Sequence, residues 1–331
     1  MRPMRDGPIV GIGNAIVDVI SPCEESFLDR MGIEKGIMQL VERGRAEALY
    51  GAMGERTEAP GGSVGNTLAG IGALGLPTAF VGRVADDGLG RGYARALAEA
   101  GTGFPNPPVR GARLPTSRSM IFVTPDGERS MNTYLGEGAD LGPEDVGLDL
   151  VRGASILLLE GYLYDKPGGK AAFEAAAGAC REGGGRAGIT LSDPFCVERH
   201  RADFRRLVRG LDYVIGNRAE WEALYEVQGL DAALEAAAAD CGLVACTRSE
   251  EGVSVVADGA RTDVAARAVA PVDATGAGDQ FAAGFLYGLA TGRDVEACGR
   301  MGCIAAAEVI GHLGARPRTD IRARFAAEGL G

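Results

Sequence analysis

Lysine is nearly missing from this chain. It occurs only at Lys35, Lys166 and Lys170, although 34 of the 331 residues are basic, so any side-chain grip on an anion falls to arginine, whose planar fork matches phosphate. Histidine is confined to His200 and His312, with no His-Glu-x-x-His, which argues against a histidine-based zinc site. The seven cysteines contain no Cys-x-x-Cys and lack the spacing of a disulfide framework. Cys241, Cys246, Cys298 and Cys303 stand in apolar surroundings and read as buried thiols. No apolar run reaches the roughly 18 residues of a membrane span, and residues 1–8 lack the pattern of a secretory signal, so a cytoplasmic location is expected. Positive charge is also in deficit. The net charge of −11 argues against nucleic-acid and membrane partners, and an acidic chain that handles an anionic nucleotide needs a divalent cation and a local positive site.

What is present is a rhythm of strands and helices in a chain long enough for one large α/β domain with an addition. Strands are expected at 155–160, 186–192, 213–217 and 243–247, with helices at 169–182, 200–209, 218–225 and 230–240. Such alternation predicts a mainly parallel central sheet wrapped by helices. Two further strands, 252–257 and 261–269, and two helices, 278–290 and 294–311, complete that part. The first third departs from the rhythm. Strands at 9–13, 15–20 and 38–41 and a hairpin of 118–124 with 130–134 do not fit it, and hairpin strands that cannot join a parallel core make a small separate sheet. Residues 54–60 read as a loop, opening into a small-residue helix that ends at Leu74. A small sheet over the carboxyl ends of parallel strands, where ligands bind, would act as a lid built from segments near 14–41 and 115–135.

The chemistry is most concentrated in Asp273-Ala-Thr-Gly-Ala-Gly-Asp279, followed by Gln-Phe-Ala-Ala-Gly-Phe. Thr275, Gly276, Ala277 and Gly278 let the backbone turn sharply where a helix begins, aiming free N–H groups and the positive end of the helix dipole at one point. That is an anion hole, and Asp279 sets a carboxylate beside it. A base next to an anion hole suits phosphoryl or acyl transfer to a hydroxyl. A plain capped turn has the same ingredients. The string is neither a dinucleotide fingerprint, lacking the third glycine, nor a P-loop, lacking Gly-Lys-Ser/Thr.

This string resembles the signature of the ribokinase-like (PfkB-type) family of carbohydrate and nucleoside kinases, and the resemblance extends in order from Ile9 to about Pro317. Gly61-Gly62-x-x-x-Asn66 is similar to the family's diglycine motif, and Asn217-x-x-Glu220 to its Asn-x-x-Glu motif. The spacing Asn14-x-x-x-Asp18, the segments from Glu160 to Leu163 and from Leu191 to His200, and the closing Gly-Ala-Arg-Pro look like the adenosine kinase branch. The fold implied is one large α/β kinase domain over residues 1–331, with a β lid over the substrate.

The resemblance implies roles for particular residues, each with a local alternative. Asn14 and Asp18 interrupt an apolar strand on one face and would grip sugar hydroxyls together with Gly61, Gly62 and Asn66; an Asp on a half-exposed strand can equally point to solvent. Phe195 would stack on the base, or sit in the core. Asn217 and Glu220 would organise magnesium and its water shell, while also capping a helix. Thr247, Gly252, Thr275 and Gly278 would contact ATP. Arg129, in the hairpin, would reach the transferred phosphate, and Asp279 with Gly276, Ala277 and Gly278 would perform the transfer. The implied reaction is ATP- and Mg2+-dependent phosphorylation of a primary hydroxyl, foremost the 5′-OH of adenosine to give AMP. Ribose, fructose, inosine or guanosine as acceptor, and a non-catalytic nucleoside sensor, are the alternatives. Potassium, used in parts of the family, has no ligand set legible in side chains, and monomer and homodimer both remain open. A rival motif, Gly61-x-Ser63-x-Gly65, fits an esterase nucleophile elbow, which needs a strand just before the serine.

Overall fold

The computed structural model describes residues 5–331; residues 1–4, part of the stretch read for a signal and of the expected 1–331 domain, lie outside the described residues. Its strands are β1 (Ile9–Ile12), β2 (Ile16–Pro22), β3 (Met38–Leu40), β4 (Thr57–Pro60), β5 (Thr78–Val81), β6 (Thr102–Gly103), β7 (Ser117–Val123), β8 (Arg129–Tyr134), β9 (Ile156–Glu160), β10 (Arg186–Thr190), β11 (Tyr213–Asn217), β12 (Leu243–Thr247), β13 (Val253–Ala257) and β14 (Ala260–Val264). Nine of them form one sheet in the order β6-β5-β1-β9-β10-β11-β12-β13-β14. From β6 to β12 the pairing is parallel, and β13 and β14 add on antiparallel. The mainly parallel sheet expected from the strand–helix alternation is therefore what the chain builds.

The sequence of β9, Ile-Leu-Leu-Leu-Glu, shows why. A strand covered by helices on both faces has no polar side to present, and every residue of β9 is buried. Its side chains alternate between two cores. Leu157 and Leu159, with Val10 and Ile12 of β1, pack on one face against the helices Pro167–Glu182 and Arg218–Tyr225. Ile156 and Leu158, with Ile9, pack on the other against Ser63–Ala73 and Ala277–Ala290. The two site-bearing helices thus share one face of the sheet.

A second sheet has the order β3-β8-β7-β2-β4. The chain enters it by a break at Gly13-Asn14-Ala15, leaving β1 in the large sheet and β2 in the small one. This corrects the strand-face argument for Asn14 and Asp18: the two do not share a strand, so period-2 alternation does not relate them. Residues 57–60, expected as loop, form β4, which pairs antiparallel with β2; a segment this short and polar gives little periodic signal, and pairing with β2 decides it. The expected strand at 261–269 ends at Val264, so an irregular stretch, not a strand, leads into the Asp273 turn. The expected helix at 200–209 forms as Arg201–Val208, and a short helix not expected from the sequence, Pro194–Arg199, precedes it. All seven cysteines are free.

The strand order also marks where a ligand fits. From β1 the sheet grows one way through β5 and β6 and the other way through β9 to β12. That reversal opens a crevice at the carboxyl end of β1, beside Asn14 and Glu160.

Candidate active site

The helix Ala277–Ala290 begins at Gly276, whose φ of 78° and ψ of 2° are left-handed. A Cβ there would lie 2.6 Å from the Cα of Ala315, so glycine is required both by conformation and by space. Asp273 shapes the turn: its Oδ1 accepts from the Thr275 N–H at 3.0 Å and its Oδ2 from the Gly314 N–H at 2.8 Å. Burial acts to raise this carboxyl, but those N–H groups, the Thr275 hydroxyl and Arg129 hold it below the usual carboxylate range. One expected donor is otherwise engaged. The Ala277 N–H bonds to the Ala274 carbonyl at 3.1 Å, which leaves Gly276 and Gly278 as the backbone donors flanking the hole.

Asp279 sits in the first turn of the same helix. Its Oδ1 accepts from the Ser63 hydroxyl at 2.6 Å and its Oδ2 from the Asn66 amide at 3.1 Å. Burial pushes this carboxyl up, while Ser63, Asn66 and the Arg316 guanidinium pull it down. Asp18, on β2, lies over the diglycine: a Cβ on Gly61 would fall 2.5 Å from its Oδ2. Burial pushes Asp18 up to about 7, opposed by Arg129, assisted by Asp279 and opposed by Arg316. Gly62 takes a positive φ against the Asn14 carbonyl. Asp18, Gly61, Gly62, Asn66 and Asp279 are thus brought together at one crevice between the two sheets.

Arg129, at the start of β8, reaches across to the Asp273 turn. It forms an ion pair with Asp273 at 2.8 Å and donates to the Thr275 hydroxyl at 3.4 Å. On the far side of that turn a cavity of about 710 Å3 is lined by Thr247, Gly252, Gly278, Phe281, Cys303 and Ile310, among others. Three of the residues expected to contact nucleotide therefore share one cavity, with Thr275 in the turn beside it.

Other expected residues are placed differently. Asn14 is buried, and its side-chain and backbone nitrogens both donate to Glu160, at 2.8 and 3.2 Å. Phe195 is 72% exposed on the helix Pro194–Arg199, which rules out the core alternative, and it does not line the cavity. Asn217 and Glu220 form a reciprocal capping box with bonds of 2.7 to 2.9 Å, away from the Asp279 cluster. Burial pushes Glu220 up to about 8, the Asn217 N–H opposing and Asp193 assisting. Among the described residues no group of three or more His, Cys, Asp or Glu could hold a metal ion. One carboxylate and one amide cannot supply the six oxygens of a magnesium site, but they fit the role of orienting water on a cation that a nucleotide carries.

Three residues of the cluster were given no part in the kinase site from sequence. Ser63, read there as an esterase nucleophile, hydrogen-bonds Asp279. A strand does precede it, but its hydroxyl donates to the carboxylate of Asp279 and not to a histidine, so the base that such a nucleophile needs is missing and the elbow is a coincidence of spacing. Glu160 is buried at the end of β9 and accepts from Asn14 and, at 3.3 Å, from the Val64 N–H; burial pushes it up to about 7 against those bonds. A carboxylate ending an otherwise apolar run was the available signal. Arg316, in the loop after the helix Val295–Ile310, donates through Nε to Asn66 Oδ1 at 3.3 Å.

Comparisons with known proteins find relatives over most of the chain. Residues 37–322 match the pfkB family of carbohydrate kinases. The solved adenosine kinase from Sinorhizobium meliloti is 48% identical over 98% of this chain and 99% of its own, with a TM-score of 0.89. A probable sugar kinase from Rhizobium etli CFN 42 is 44% identical over the same shares, with a TM-score of 0.91. A fructokinase from Escherichia coli is 30% identical over 239 residues, 70% of this chain and 77% of that protein. Among the described residues no helix is long and apolar enough to cross a membrane.

Proposed function

Because the chain belongs to the pfkB family of carbohydrate kinases, we propose that it transfers the γ-phosphoryl group of ATP to the 5′-hydroxyl of adenosine, giving AMP and ADP. The family makes it a phosphotransferase with an alcohol acceptor. The observation that carries adenosine as that acceptor is the 48% identity, across nearly the full length of both chains, to an adenosine kinase.

In this reading the acceptor lies in the crevice over Gly61 and Gly62, where Asp18 and Asn66 hydrogen-bond its ring hydroxyls. Its free hydroxyl meets Asp279, which accepts the proton as the oxygen attacks phosphorus in line. ATP occupies the cavity lined by Thr247, Gly252 and Gly278. The N–H groups of Gly276 and Gly278, with Arg129, hold the charge that develops on the transferred group. A magnesium ion bound by the triphosphate would neutralise part of that charge, and Asn217 and Glu220 would hold its water. The five-stranded sheet, roughly residues 14–41 and 115–135 with β4, serves as the lid that excludes water and so limits ATP hydrolysis.

The deciding assay is ADP release on a panel of nucleosides and sugars. Adenosine should give the highest kcat/KM. The fructokinase relative favours one competing reading, a sugar acceptor, which the same panel would reveal as fructose or ribose turning over fastest. Asp18→Ala should raise the acceptor KM by about 10-fold to 100-fold, the cost of losing hydrogen bonds to a charged group, with the ATP KM unchanged. An acceptor KM that does not move removes Asp18 from the site.

A further inference from the structure

The loop from Gly314 to Arg316 is fastened to the site by three successive residues. The Gly314 N–H donates to Asp273 Oδ2 at 2.8 Å. The Ala315 carbonyl accepts from Gln280 Nε2 at 3.0 Å, and the same amide nitrogen donates to the Asn66 carbonyl at 3.1 Å. Arg316 Nε then donates to Asn66 Oδ1 at 3.3 Å. This last bond has a chemical consequence. An amide side chain presents an acceptor on one side and a donor on the other, and with Oδ1 committed to Arg316, Nδ2 must face Asp279 Oδ2. Without the guanidinium the amide is free to turn and set its oxygen against the carboxylate. A second observation points to a ligand: Arg316 Nη2 is buried and, among the described residues, has no hydrogen-bond partner. A buried guanidinium nitrogen left unpaired is costly.

We propose that Arg316 is a positioning residue for phosphoryl transfer, which orients Asn66 toward the base and donates through Nη2 to a hydroxyl oxygen of the bound acceptor. This rests on the assignment of Asp279 as the base. The charged and titratable groups around that base are Asp18 on β2, Glu160 at the end of β9, Tyr93 in the helix Gly88–Glu99, and Arg129, whose guanidinium is paired with Asp273. Arg316 is the cation that acts on Asp279 directly, after burial and its two hydrogen bonds. Burial in turn lowers Arg316, while Tyr93, Asp18 and Asp279 hold its proton.

The test is the pH profile of kcat/KM for the acceptor in Arg316→Ala, Arg316→Gln and Arg316→Lys, beside Asp279→Asn. A carboxylate base works only when ionised, so rate falls as pH drops through its pKa. Removing a neighbouring cation raises that pKa, and the acid limb should move to higher pH by about one unit in the Ala and Gln variants. Lysine keeps the charge and should hold the limb in place. The acceptor KM should rise about tenfold in the Ala variant, with the ATP KM steady. If the limb and the acceptor KM stay put in Arg316→Ala while Asp279→Asn is inactive, the proposal is overturned. Should Arg316→Ala fail to fold, coincident limbs in the Gln and Lys variants overturn it equally. An active Asp279→Asn would instead strike the base assignment itself.

Discussion

Asp279→Asn is expected to lower kcat by about 10²-fold or more, the usual contribution of a positioned base, with the protein still folded. The substitution preserves shape but removes the only function the mechanism asks of this carboxylate, taking a proton. Its hydrogen bonds decide how much else changes. The Ser63 hydroxyl can still donate to Oδ1, since an amide oxygen accepts as a carboxylate oxygen does. Asn66 Nδ2 cannot donate to the new amide nitrogen, and Asn66 cannot turn without giving up Arg316. One weakened contact is worth about 1 kcal/mol, so the melting temperature should fall by only a few degrees. Rapid-quench measurement of the chemical step, with circular dichroism as the control for folding, checks both halves. A phosphorylation rate near that of the unmodified protein would show that another group takes the proton.

How much of this site the sequence disclosed depended on what kind of contact each residue makes. Gly276, Asp279 and the diglycine were legible because each satisfies a local rule: a left-handed turn, a helix first turn, a close backbone approach. The parallel sheet was legible for the same reason, since strands such as β9 carry apolar residues without interruption. Several contacts that tie the site together join residues more than 140 positions apart, such as Asn14 to Glu160 and Arg316 to Asn66, and no periodicity encodes those. Asn14 illustrates the point. Its polar side chain in an apolar run pointed to substrate, and no local pattern signalled that its amide nitrogen also bonds a buried glutamate. Phe195 is the reverse case: an aromatic residue after a strand predicts burial or stacking, and a short helix started by Pro194 leaves the ring exposed, which excludes the core reading and not the stacking one.

The second large effect separates two glycines that lie two residues apart. Gly276→Ala forces an L-residue into left-handed backbone, at a cost of roughly 1–2 kcal/mol, and drives its methyl to 2.6 Å from the Cα and 2.7 Å from the carbonyl oxygen of Ala315. Backbone atoms cannot rotate away as a side-chain end does, so the turn or the 314–316 loop must shift. Overpacking of this kind adds about 1–3 kcal/mol, and loss of a preorganised donor should lower kcat by about 10² to 10³. Gly278→Ala behaves oppositely in the folded protein. Nothing lies within 4 Å of its added Cβ, and alanine in a helix gains up to about 1 kcal/mol over glycine, so the melting temperature should hold or rise. Yet Gly278 lines the 710 Å3 cavity, and its methyl group would project where the phosphates are expected to lie. The ATP KM should therefore rise about tenfold while the acceptor KM is unchanged. Thermal melts and steady-state kinetics on the two variants resolve the pair: a Gly276→Ala protein as stable as the unmodified one would contradict the packing against Ala315. An unchanged ATP KM in Gly278→Ala would mean that the donor nucleotide lies outside this cavity.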